Sequence, residues 1–85
     1  MAYRLLWSQN SLKHLSKLEK SIADRIIKKT DSILDDPFSY IERLTGFNLY
    51  KLRVGDYRVV MSIDRGNLVI LVVEVGHRKN IYDNY

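Results

Sequence analysis

Eighty-five residues, 46% of them hydrophobic and 28% charged, are enough for one small folded domain and argue against a disordered chain. Cysteine is absent, which excludes disulfides, thiolate nucleophiles and cysteine-based metal sites together and suits a reducing compartment. The net charge of +4 divides evenly, 8 − 6 over residues 1–45 and 6 − 4 over residues 46–85, so there is no basic tail.

In chain order, residues 2–7 predict a first strand, too short to be a secretion signal or a membrane span, and a cytoplasmic protein without a membrane partner is expected. Ser8 or Asn10 can cap a following helix, because their side-chain oxygens satisfy free N–H groups of its first turn. Leu12, Leu15 and Leu18 carry that helix to about residue 18. Ser21 is placed to cap a second helix, with Ile22, Ile26, Ile33 and Leu34 inward and Asp24, Lys28, Lys29, Asp31 and Asp35 outward. Pro37 ends it, since proline has no amide proton and disfavours helix in the residue before it. Residues 38–48 read as an ordered connection. Three strands follow near 49–54, 57–64 and 67–76, with Gly55-Asp56 and Arg65-Gly66 as turns. The order β-α-α-β-β-β predicts an α+β fold, a small and largely antiparallel sheet with a helical hairpin on one face.

A two-residue turn at Gly55-Asp56 sets Val54 opposite Tyr57, Arg53 opposite Arg58, Leu52 opposite Val59 and Lys51 opposite Val60. Faces alternate along a strand, so Tyr50, Leu52, Val54, Tyr57, Val59 and Met61 share a core face while Lys51, Arg53 and Arg58 share the other. A strand pair built for stability alone avoids opposed like charges, and this crowding points to a polyanion, RNA first. A turn at Arg65-Gly66 sets Ile63 opposite Leu68, Met61 opposite Ile70 and Arg58 opposite Val73, which brings Val75 and His77 to the cationic face. Arg78, Lys79 and Tyr82 follow where that strand ends. Val69, Leu71, Val73 and Val75 make the same face apolar around its charges, a surface for a partner helix or for a folded-back segment of the chain. Two histidines without an H-x-x-x-H spacing leave no transition-metal site, and no phosphate-binding glycine loop is present. His14, among helix lysines, reads as uninvolved.

The stretch Tyr50-Lys51-Leu52-Arg53-Val54-Gly55-Asp56-Tyr57-Arg58-Val59-Val60, with Val75-Gly76-His77-Arg78-Lys79-Asn80-Ile81-Tyr82 after it, resembles the RelE/ParE superfamily of bacterial and archaeal toxins, its RelE branch in particular. The likeness in length and element order spans the chain, and implies one RelE-like toxin domain over residues 1–85. It further implies a toxin of a type II toxin–antitoxin system, with a RelB-like antitoxin, the ribosome and mRNA as partners. The implied activity is that of an mRNA interferase, a ribosome-dependent endoribonuclease that cuts mRNA in the A site by 2′-hydroxyl attack, with neither metal nor cofactor. By the same resemblance Lys51 falls at the position of the base, Arg58 and Arg78 at those of transition-state arginines, and Tyr82 at that of a stacking or proton-transfer tyrosine. His77 is a natural acid or base near neutral pH, and Arg53 and Lys79 add RNA-binding charge. Two departures stand out: Leu49 replaces the first of two alternating lysines of the family pattern, and Arg78 and Tyr82 are closer together than in that pattern. The alternatives are a ParE-like inhibitor of DNA gyrase that cleaves nothing, and a non-catalytic RNA-binding module.

Overall fold

The computed structural model describes residues 2–81. Strand β1 (Arg4–Trp7) leads into helix α1 (Gln9–Ser16) and helix α2 (Lys20–Ser32), followed by a 3-10 turn at Pro37–Ser39. Strands β2 (Ile41–Arg43), β3 (Tyr50–Val54), β4 (Tyr57–Asp64) and β5 (Val69–His77) come next, with a four-residue helix α3 (Arg78–Ile81) at the end. They form one five-stranded sheet in the order β1-β5-β4-β3-β2, parallel only between β1 and β5. This is the expected α+β fold with one strand more, since Ile41–Arg43 pairs with β3 inside the segment expected to be a connection.

Ser8 caps α1 as expected, its Oγ accepting from Ser11 N at 3.0 Å. The cap of α2 falls on Glu19 rather than Ser21, and no side chain bonds the first turn there. That helix also stops before Pro37, at Ser32, so buried Ile33 lies just beyond it. Pro37 instead opens the 3-10 turn, where its missing N–H costs nothing.

The main core lies between the helices and one sheet face. Ile26 and Ile33 meet Leu52, Val54, Val59, Met61, Ile70, Val72 and Val75, with Tyr50 and Tyr57 half-buried at its border. The other face carries a smaller cluster in which Leu44 and Leu49, joined by a Leu44 N to Leu49 O bond of 2.9 Å, pack on Val60 and Val73. The segment 44–49 therefore covers the centre of that face itself. Leu49, at the family's lysine position, serves here as an apolar packing residue.

The first hairpin has the expected register at all four pairs. The second does not. Its turn takes four residues, because both carboxylate oxygens of Asp64 hold Asn67, through its N at 3.0 Å and its Nδ2 at 2.8 Å, and Leu68 turns the chain at φ 55°. Ile63 consequently faces Ile70, and Met61 faces Val72. A bulge then adds one residue, Val73, between the pairs Met61–Val72 and Val60–Glu74. Its carbonyl accepts from Ser8 Oγ at 3.2 Å and Asn10 Nδ2 at 3.1 Å, so α1 bonds the edge of β5 where β1 has ended.

Candidate active site

Strand alternation and the tight Gly55 turn place three of the predicted cations in one cleft of about 230 Å³, lined by Tyr40, Glu42, Lys51, Arg53 and Arg58. Gly55 has φ +60°, a conformation that residues with a Cβ rarely adopt, and this lets β3 reverse into β4 so that Arg53 stands across from Arg58. Arg58 is only 6% exposed, and its Nη1 is buried. Arg53 is exposed, its Nε donating to the Gly55 carbonyl at 3.4 Å. Lys51 Nζ lies 3.7 Å from a carboxylate oxygen of Glu42, its partner across β2 and β3. A fork-shaped guanidinium fixed by its own strand is suited to two phosphate oxygens at once. The cleft therefore offers an anion site with a carboxylate on its rim.

His77 is not in that cleft. The expected pairing of Arg58 with Val73 is replaced by Arg58 with Gly76, and His77 pairs with Tyr57, a residue of the core face. The bulge at Val73 is the cause: one inserted residue exchanges the faces of everything after it. Val75, expected among the cations, is likewise in the main core and 1% exposed, while Val69 and Leu71, opposite Asp64 and Ser62, keep the face expected of them. The rings of His77 and Tyr57 meet edge to face at 5.4 Å.

His77, Arg78 and Lys79 line a second, open cleft of about 480 Å³ with Asp56. Arg78 N donates to the Asp56 carbonyl at 2.9 Å, which ties the start of α3 to the β3–β4 turn. His77 Nδ1 accepts from Lys79 N at 3.3 Å, so a neutral ring carries its proton on Nε2. The two cation groups thus flank one end of the β3–β4 hairpin instead of sharing a face. Tyr82 lies outside the described residues. Two lining residues escaped the sequence reading, Tyr40 and Glu42. Both precede or lie in β2, whose Ile-Glu-Arg alternation was the available signal, with Glu42 the natural partner for Lys51.

The chain matches the family model of the ParE toxin of type II toxin–antitoxin system, parDE, over residues 5–82. It is 32% identical over 82 residues to the mRNA interferase toxin RelE of Escherichia coli strain K12, covering 93% of this chain and 86% of that protein. The solved structure of a mutant E. coli toxin RelE in the free state superposes with a TM-score of 0.79 at 31% identity, over 98% of this chain and 93% of the other. The archaeal RelE–RelB complex from Pyrococcus horikoshii contains a chain that superposes with a TM-score of 0.77 at 28% identity, over 92% and 97%. The chain belongs to the RelE/ParE superfamily of toxins of type II toxin–antitoxin systems, and within it to the RelE branch.

Proposed function

We propose that this protein is an mRNA interferase, a ribosome-dependent endoribonuclease that cuts mRNA in the ribosomal A site and so inhibits translation in the cytoplasm. A cognate RelB-like antitoxin holds it inactive. The observation that carries the reading is the arrangement of Lys51 and Arg53 around a nearly buried Arg58, in one cleft. Its support from relatives is the E. coli mRNA interferase toxin RelE and the solved RelE–RelB complexes.

In the reaction, the ribose 2′-oxygen attacks the adjacent phosphorus, the bond to the 5′-oxygen breaks, and a 2′,3′-cyclic phosphate and a 5′-hydroxyl remain. Arg58, with Arg53 beside it, binds the non-bridging oxygens as negative charge builds on them. Lys51 as the free amine receives the 2′-hydroxyl proton, the Glu42 carboxylate 3.7 Å away stabilises the ammonium so formed, and solvent water protonates the departing 5′-oxygen. Arg78, held against the Asp56 carbonyl, and Lys79 bind the RNA backbone at the hairpin's other side. His77 acts as a positioning residue, its Nδ1 holding Lys79 N at the start of α3. Tyr82, outside the described residues, is assigned to base stacking or proton transfer by the resemblance alone.

Translation in a purified system with mapped mRNA ends tests the reading. Cuts within A-site codons are expected. Intact mRNA with poisoned gyrase overturns it in favour of a ParE-like toxin, and salt-sensitive RNA binding without cuts in favour of a non-catalytic module.

A further inference from the structure

We infer that Tyr40 is the platform on which a base next to the scissile phosphate stacks. The inference rests on the nuclease reading above and adds a substrate-binding residue to it. Among the described residues Tyr40 is the one aromatic side chain lining the cleft of Lys51, Arg53 and Arg58, and it is 53% exposed. Its position is held from both sides. Its N–H donates to the Pro37 carbonyl at 3.0 Å at the close of the 3-10 turn, and Pro37 is buried. The ring of Phe38, two residues earlier, meets Tyr50 edge to face at 5.5 Å and lies under the Arg65 guanidinium at 4.1 Å. On the other side, Tyr40 runs directly into β2.

One face of the ring is taken by the Lys29 ammonium, 5.2 Å from the ring centroid. A planar base needs only the opposite face. A phosphate held by Arg53 and Arg58 keeps its own nucleotide's base about one ribose away, and Tyr40 lines the same cleft. Stacking on aromatic side chains is how single-stranded RNA is commonly gripped beside its phosphates, and it tolerates every base.

The test is single-turnover cleavage by the full chain on ribosomes programmed with synthetic mRNA. The A-site codon is either intact or carries one abasic nucleotide at its first, second or third position. Tyr40→Phe, which keeps the ring, is expected within about twofold of wild type, and Tyr40→Ala to lose roughly tenfold in kcat/KM on intact codons. That loss vanishes on the message abasic at the stacked position, because ring and base act as one pair. Tyr40→Leu gives the same comparison if the alanine variant does not fold. Equal cleavage by wild type and Tyr40→Ala overturns the inference, as does a loss of the same size on intact and all three abasic messages. A wild-type protein that leaves every message uncut overturns the nuclease reading and the stacking with it.

Discussion

Arg58→Met separates the two roles a nearly buried arginine can have. The substitution removes the charge and keeps an unbranched chain in a site only 6% exposed. Arg58 stands directly across β3 and β4 from Arg53, and such opposed like charges destabilise a sheet by up to roughly 1 kcal/mol. Against that relief, Arg58 makes an interaction in the fold that methionine cannot, and losing one side of a buried polar contact costs about 1–3 kcal/mol. The two effects oppose each other, so stability should change by no more than about 1 kcal/mol, a shift within roughly 4–8 °C in Tm for a chain of this size. Cleavage should fall by about 10²–10³-fold, the usual cost of removing one preorganised donor to developing negative charge. Thermal unfolding and A-site cleavage rates on the same preparation read both effects. A variant that melts more than about 10 °C lower while cutting normally would refute the reasoning and make Arg58 a structural residue.

His77→Ala should lower cleavage by roughly tenfold, less than Arg58→Met, by releasing Lys79 N; His77→Asn, which keeps an acceptor for that N–H, should recover most of it. A loss as deep as that of Arg58→Met, without rescue by asparagine, would return His77 to the proton-transfer role expected from the sequence. Ser8→Ala removes both the α1 cap at 3.0 Å and a bond to the Val73 carbonyl at 3.2 Å, and should cost about 1–2 kcal/mol in denaturant unfolding. The hydrogen bond from the Asn67 side chain, helped by the Asn67 and Gly66 backbone, holds the Asp64 carboxyl below its usual value of 3.8. Because the folded-state value is the lower one, its contribution to stability is present above pH 3.8 and lost as pH falls through the folded value. The stability difference between wild type and Asp64→Ala should accordingly close below pH 3.8, and one that persists unchanged at lower pH would exclude the carboxylate as its source.

Legibility in the sequence tracked how local the determining interactions are. The β3–β4 register was readable because a glycine and a two-residue turn set it, and with it came the face shared by Lys51, Arg53 and Arg58. The β4–β5 register was not, because the Arg65-Gly66 dipeptide suggests a short turn while the Asp64 carboxylate gathers Asn67 into a longer one. The bulge was further out of reach. It is held by Ser8 and Asn10, more than sixty positions away in the chain, and no periodicity within β5 reports it. Strand β2 is three residues long, at the limit of any alternation pattern, and Tyr40 and Glu42 were missed with it. The cation cleft could thus be read from the sequence while its aromatic and acidic walls could not.

The extra residue in β5 exchanges the two faces partway along a single strand. Before it, Ile70 and Val72 look toward the helices; after it, Val75 does, although spacing by two from Val72 would have chosen Glu74. Pairing Val73 regularly with Val60 would reverse that assignment, lifting Val75 out of the core and turning His77 to the face of Arg58, whereas deleting Val73 would leave every later pair as it is. Which side chains share the face of Arg58 is therefore governed in part by whether one residue, which contributes no side chain to its cleft, joins the ladder or bulges out of it. Two chains with the same motifs would set different side chains beside this arginine if only one of them bulged at this position.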